Sequence, residues 1–283
     1  MPAEVSEVSE GKPRSPERLR AHYMVEKELA ERLRRAGKDE RQSLYTALYD
    51  ELFRRVPDHP QLTRKRDRHL QAETVFARRL LKRFLRPHSV YLEIGPGDCA
   101  LACSIAAEVK RVYAVDVSRE IASGVSLPAN LELTLSDGCS IPLPEASVDV
   151  AYSDQLMEHL HPDDALEQLR NIYRALAPGA VYVCITPNRL SGPHDISRYF
   201  DESATGFHLK EYTAGELMSI FRAVGFSRVR MLAGARGRYV VLPALLFKLL
   251  ESALQILPRG LRRSIARSAP LRLILGIRLV ATK

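Results

Sequence analysis

Val90-Tyr91-Leu92-Glu93-Ile94-Gly95-Pro96-Gly97-Asp98-Cys99-Ala100 is the stretch that decides how the rest of the chain is read. An apolar run ends in two closely spaced glycines, and small residues follow. That order gives a buried strand, a tight turn and the start of a helix. Gly95 and Gly97 lack a Cβ, so the backbone can turn sharply and a ligand can come close. A helix opening near Cys99 would aim its free N–H groups at that ligand. About 20 residues on, a second strand, Val112-Tyr113-Ala114-Val115, ends in Asp116, an acid placed to accept both ribose hydroxyls of a nucleoside.

The glycine spacing alone is a weak signal, because Gly95, Gly97 and Ala100 also fit a looser dinucleotide fingerprint. The flanking acids separate the two readings. Glu93 and Asp98 would repel a pyrophosphate and attract a cofactor carrying an ammonium and a sulfonium, which describes S-adenosylmethionine (SAM). Here the chain resembles the class I SAM-dependent methyltransferases, in the broad branch acting on small molecules, lipids and sugars. The likeness runs from about Val90 to Asn188, and more weakly to Arg230.

The family's glycine motif corresponds to Glu93-x-Gly95-x-Gly97, with Cys99 in place of its third glycine. The resemblance implies that Asp116 holds the ribose and that Asp137, in Leu135-Ser136-Asp137-Gly138, faces the adenine. It also implies that Ser153 ends the fourth strand beside the cofactor, before Leu156-Met157-Glu158-His159-Leu160. The expected cofactor set is Glu93, Gly95, Gly97, Asp116, Asp137, Gly138 and Ser153. For Asp116 a strand-end cap, and for Asp137 a turn former, are the plainer readings.

The chain has 283 residues, 46% hydrophobic and 27% charged, as in a folded globular protein. Cys99, Cys103, Cys139 and Cys184 form no CxxC pair; they read as reduced thiols of a cytoplasmic protein, with no metal site implied. The net charge of +8 is local. Gly234 to Lys283 holds ten basic residues against the single acid Glu251, so this tail carries +9 and the rest sums to −1. A basic face of this kind suits an anionic partner, such as the inner face of a membrane. Nucleic acid is disfavoured: the one basic loop outside the tail, Gln61 to Arg68, reads as a solvated face.

Residues 1–15 read as a disordered tail. Residues 16–68 read as an N-terminal helical cap over the cleft, or as a hairpin that only adds core. A SAM-binding core spans 69–233, a basic amphipathic helical insertion 234–275, and the last strand 276–283. Within the core, strands near 89–94, 111–115, 131–134, 148–152, 180–186, 226–232 and 276–282 alternate with helices near 98–108, 118–123, 163–176 and 213–223. The resulting expectation is an α/β, Rossmann-like fold with a seven-stranded, mostly parallel sheet covered on both faces. Gly95, Asp116, Asp137 and Ser153 all fall at carboxyl ends of strands, where such sheets bind ligands. In the tail, 239–270 is apolar and basic, too interrupted to span a bilayer. It reads either as a lid or as a peripheral membrane contact.

A SAM methyl group is already activated, so the enzyme aligns donor and acceptor, and a hydroxyl acceptor must also lose a proton. Candidate bases are His159, after the fourth strand, and His194 and His208, in the long loop after the fifth. His194 has Asp195 beside it in sequence. For His159 and His208 a structural role is the plainer alternative. No segment matches the Asn-Pro-Pro-Tyr motif of nitrogen-methylating enzymes, so the expected acceptor is a hydroxyl of a small molecule, lipid intermediate or glycan. Two rivals stand beside this reading: a nicotinamide-dependent oxidoreductase using Gly95, Gly97 and Ala100, and a non-catalytic module working through the basic tail.

Overall fold

A computed structural model describes residues 8–9, 12–63, 68–118 and 125–283. Most of residues 1–15, the centre of the basic loop 61–68 and all but the first residue of the helix expected at 118–123 lie outside these. The parallel strands are β1 (Val90–Ile94), β2 (Arg111–Asp116), β3 (Leu131–Leu135), β4 (Val148–Asp154) and β5 (Leu176–Thr186). A hairpin, β6 (Arg228–Ala235) and β7 (Arg238–Leu242), and a final strand β8 (Ile277–Thr282) complete the sheet. The spatial order is β3-β2-β1-β4-β5-β8-β6-β7, with β8 antiparallel to both neighbours.

This is the Rossmann-like α/β sheet expected from the sequence, with eight strands instead of seven. The extra strand is β7, folded back on β6 across a turn in which Arg236 and Gly237 take φ of 55° and 78°. Strand order reverses at β1, which pairs with β2 on one side and β4 on the other. The crevice over the carboxyl ends of these three strands is therefore the natural ligand site.

Helices α1 (Pro16–Arg35) and α2 (Lys38–Arg55) form a hairpin; α3 (Arg68–Leu81) and α4 (Ala100–Ala106) pack on one sheet face. On the other face lie α5 (Pro162–Ala175) and α6 (Ala214–Val224), with Leu169, Ile172, Leu217 and Phe221 almost fully buried. α2 joins this second core through Tyr45, Leu48 and Leu52. Its position is set by a buried ion pair: Arg41 donates to both carboxylate oxygens of Asp164 on α5, at 2.6 and 2.7 Å, and Tyr45 OH donates to the same group at 2.8 Å. Desolvation makes such a pair an expensive way to gain stability, but it fixes register well.

The tail forms α7 (Ala244–Ile256), α8 (Arg259–Ala266) and α9 (Ala269–Leu275) before β8. Phe247, Glu251 and Leu254 face inward along α7. Glu251 is spent on structure: it accepts from the first N–H groups of α6, at Ala214 and Gly215, and from Asn188 Nδ2.

Candidate functional site

The loop after β1 turns through two left-handed glycines, Gly95 (φ 69°) and Gly97 (φ 53°). Leu156 closes on Gly95 so tightly that a Cβ there would sit 3.2 Å from its Cδ1, whereas a Cβ on Gly97 would meet open space. The backbone at Gly97 is thus bare toward the crevice. Cys99, which replaces the third glycine, also takes a left-handed φ of 57°. The chain keeps the conformation for which glycine is the easy choice and accepts the strain of a small side chain. At the end of β2, Asp116 accepts from the N–H groups of Gly97 (3.3 Å), Val117 (2.7 Å) and Ser118 (3.3 Å), which ties the glycine loop to the neighbouring strand.

Two cavities share Gly95, Gly97, Gln61 and Gln155 in their walls. One, of about 120 Å3, is closed by Asp116, Tyr45, Tyr49, Phe53, Leu156 and His159. The other, of about 680 Å3, is lined by Glu93, Asp98 and Asp154. Burial, with like charge at Asp154, Asp98 and Asp116, pushes the Glu93 carboxyl up to about 8; the Tyr91 hydroxyl, 3.3 Å away, offsets this only in part. Burial raises Asp116 as well. A crevice with these acids suits an ammonium and is hostile to a pyrophosphate.

The remaining cofactor candidates lie outside these walls. Asp137 caps its own loop, accepting from the N–H groups of Cys139 (2.8 Å) and Ser140 (2.6 Å) and from the Ser140 hydroxyl. Although burial acts to raise its pKa, these bonds outweigh it and hold the carboxyl below its usual range. Gly138 (φ 89°) receives the Tyr45 ring, whose Cδ2 would lie 2.9 Å from a Cβ there. Ser153 is turned into the core, where its hydroxyl shares a 2.7 Å hydrogen bond with Tyr182 OH.

Of the three histidines, His159 and His208 come together edge to face, with ring centroids 4.8 Å apart. The long loop is drawn onto the 3-10 turn Met157–His159 by the Lys210 N–H donating to Glu158 O, and by His159 Nδ1 donating to Phe207 O. Burial drives His159 down to about 3, so its ring is neutral. His208, despite its burial, is raised by its hydrogen bond to Glu211. His194 stands apart: its Nε2 faces Asn188 O and the Ser191 hydroxyl, both at 3.1 Å. Its sequence neighbour Asp195 serves other groups, accepting from the N–H groups of Ser197 and Gly206.

On the far side of His208 opens a cavity of about 490 Å3, lined by Arg189, Lys210, Arg259, Arg262 and Arg263 together with Glu202 and Glu211. Glu202 pairs with Arg259 and Arg189 pairs with Glu216, leaving a net basic wall.

Residues 92–184 match the family model described as a methyltransferase domain. Over that stretch the chain is similar to methyltransferase domains. Among curated relatives named as S-adenosylmethionine-dependent methyltransferases, one from Mycolicibacterium smegmatis is 32% identical over 136 residues, covering 48% of this chain and 51% of the relative. Another, from Mycobacterium tuberculosis, is 33% identical over 141 residues, covering 50% and 49%. The chain thus spans about half the length of the curated relatives it matches.

Among solved structures, a chain from the complex between the Haloferax volcanii Trm112 methyltransferase activator and a methyltransferase overlays with a TM-score of 0.54 at 16% identity. It covers 75% of this chain and 90% of that one. The [4+2]-cyclase SpnF overlays with a TM-score of 0.51 at 18% identity, covering 77% and 83%. At such identities the likeness concerns the fold, and the cyclase illustrates that one fold hosts more than one reaction.

Two parts of the crevice's surroundings were not legible in the sequence. Tyr45, Tyr49 and Phe53 of α2 form the aromatic wall opposite the glycine loop. Their spacing at i, i+4 and i+8 puts them on one helix face, and contacts remote in sequence aim that face at the crevice: Arg41 and Tyr45 donate to Asp164, and Thr46 Oγ1 donates to Val117 O at 2.6 Å. The basic cavity joins arginines of α8 to the loop after β5, and nothing local in either stretch announces the other.

Proposed function

We propose that the chain transfers a methyl group from SAM to a hydroxyl of an anionic acceptor: a small molecule, a glycan or, preferred here, a lipid intermediate. The observation that carries this is the meeting, at His159 and His208, of the acidic, aromatic-walled crevice and the basic cavity. The crevice takes the cofactor. Glu93 and Asp98 face its ammonium, Gly97 offers bare backbone, Asp116 takes the ribose hydroxyls, and Tyr45, Tyr49 and Phe53 exclude water. The basic cavity takes a phosphate or carboxylate of the acceptor through Arg189, Lys210, Arg262 and Arg263. The acceptor hydroxyl then lies at the His159–His208 junction, in line with the methyl group. His194, committed to backbone and Ser191, is left as a strut of the loop. Asp137, Gly138 and Ser153 support the crevice from behind.

The lipid preference comes from the tail. Val240, Val241, Leu245, Leu246, Leu249, Ile256 and Leu261 are all more than half exposed; Lys248 and Arg259 lie among them in sequence, and Arg262 and Arg263 follow directly. Leu245, Leu249 and Ile256 share the outer face of α7, opposite Phe247, Glu251 and Leu254. An apolar row beside arginines suits the interface of an anionic bilayer. Among the described residues no helix is long and apolar enough to cross one. Transfer of label from methyl-labelled SAM is the test, with hydroxyl-bearing lipid phosphates and their soluble, chain-free analogues as acceptors. An ether product on the anionic acceptors, made more slowly by Arg262→Ala and Arg263→Ala, is expected. Label appearing only on amines, or only on uncharged acceptors, contradicts the proposal.

A further inference from the structure

The turn after β4 and the loop after β5 bring three ligand-type side chains to one point. Glu158, His159 and His208 each offer one donor atom, and the three atoms lie within 4.8 Å of one another. Each residue is held from behind by its other polar atom. His159 Nδ1 donates to Phe207 O at 3.1 Å, His208 Nδ1 donates to Glu211 Oε1 at 2.8 Å, and Thr186 Oγ1 donates to Glu158 Oε2 at 2.8 Å. What remains is Nε2 of each imidazole and Oε1 of Glu158. Glu158 is completely buried, and its Oε1 has no hydrogen-bond partner among the described residues. A buried carboxylate oxygen left without a partner is costly, and such an orphan in a native fold calls for an occupant.

A second His–Glu cluster in the same chain makes a useful contrast. His22, Glu26 and His59 also lie close together. There, Arg14 donates to His22 Nδ1 at 2.9 Å, His22 Nε2 donates to Glu26 Oε1 at 2.7 Å, and the Gln61 N–H donates to His59 Nδ1. That cluster is knit together by its own hydrogen bonds with a cation already beside it. The cluster at Glu158 has its supporting partners in place, and no hydrogen bond joins its three members to one another.

We infer that Glu158, His159 and His208 bind a divalent transition-metal ion of the zinc type, at the junction between the cofactor crevice and the basic cavity. Two imidazoles and one carboxylate are a donor set such ions take, and outward N–H bonds to a carbonyl and a carboxylate are how ligating histidines are oriented. Ligand atoms about 2.0–2.2 Å from one ion lie about 3.4 Å apart, and the three atoms already lie within 4.8 Å of one another. Three protein ligands leave a fourth position open, as in catalytic zinc sites. His159 lines the cofactor side and His208 the acceptor side, so that position is reached from both.

Its use rests on the methyl-transfer reading. An acceptor hydroxyl bound to the ion gives up its proton to water near neutral pH. The oxygen then attacks the methyl carbon as the carbon–sulfur bond breaks. The electron pair stays on sulfur, leaving S-adenosylhomocysteine and a methyl ether.

The test needs no acceptor. The whole chain is stripped with a chelator and dialysed against Zn2+, and bound metal is counted by mass spectrometry. A Co2+-loaded sample is read by its visible absorption, and SAM is titrated into stripped and loaded samples alike. One Zn2+ per chain is expected, with cobalt bands of a low-coordinate site. Affinity should fall at least about tenfold in Glu158→Gln and in His208→Gln, while both variants keep SAM affinity within about threefold. Glu158→Gln retains an acceptor for Thr186, so it should fold. Folded wild type that binds SAM but takes up no stoichiometric metal overturns the inference. So does stoichiometric metal that both variants hold as tightly. Failure of SAM to bind would fall on the methyl-transfer reading alone, and the metal count would still decide the site.

Discussion

Glu93 sits at the end of β1 with its carboxyl pushed up to about 8 by burial and by Asp154, Asp98 and Asp116. Two measurable consequences follow from the sign of that shift. On the proposed reading the Glu93 carboxylate is the form that faces the cofactor's ammonium, so binding at pH 7 should release a proton, and affinity should fall by up to about tenfold per unit below pH 8. Calorimetry in buffers of different ionisation enthalpy checks this, and Glu93→Gln should abolish the dependence while weakening binding. A carboxyl raised in the fold favours the fold while it is neutral. That contribution is complete below its ordinary value of 4.5 and is lost as pH rises through about 8. Glu93→Gln should therefore raise the melting temperature at pH 8 by about 2–4 °C for each kcal/mol relieved, and leave it nearly unchanged at pH 4. The position of Glu93, buried near the end of a strand and beside the glycine turn, was legible in the sequence from the apolar run that ends in Gly95 and Gly97. Ser153 was not. Val148 to Ser153 is covered on both faces, so no alternation shows which way each side chain points. Asp137 was half legible: Ser-Asp-Gly signals a turn, and the turn consumes most of the carboxylate.

At the scale of elements, the crevice depends on α2 being held against α5. Asp164→Ala would strand the buried Arg41 guanidinium and should cost about 3–5 kcal/mol, read by urea denaturation, with SAM affinity falling as Tyr45, Tyr49 and Phe53 loosen. The double variant Arg41→Met, Asp164→Leu should regain most of the stability. If Asp164→Ala costs less than about 1 kcal/mol, α2 is held by its apolar face and the ion pair is incidental. Alternating strands and helices made the parallel sheet readable from pattern alone. β7 was missed because Tyr239-Val240-Val241-Leu242 runs straight into the apolar tail. The turn signal Gly234-Ala235-Arg236-Gly237 was available and marks the hairpin.

On the scale of the whole molecule, charge and apolarity are separated in space. The acidic cavity lies over the ends of β1 and β4, next to the smaller cavity walled by α2, and the exposed apolar row lies on the basic tail. Replacing Leu245, Leu249 and Ile256 together with Ser should lower binding to vesicles containing anionic lipid at least about tenfold, with little change in melting temperature, because these side chains bury little area in the fold. Flotation with the chain at fixed salt checks this; unchanged binding would favour a lid. The tail's composition could be read from sequence, but which of its apolar residues stay outside could not, since that depends on Glu251 reaching Ala214 and Gly215 to pin one face of α7.

The central claim is that the crevice between Gly95 and Asp116 holds SAM, and calorimetric titration of SAM and S-adenosylhomocysteine into the wild type and Asp116→Ala tests it most directly. Expected is one saturable site in the wild type, weakened about 10–100-fold in the variant, the loss of a hydrogen-bonding carboxylate to the ribose. Folded wild type that binds neither ligand, or a variant that binds both equally well, would contradict it.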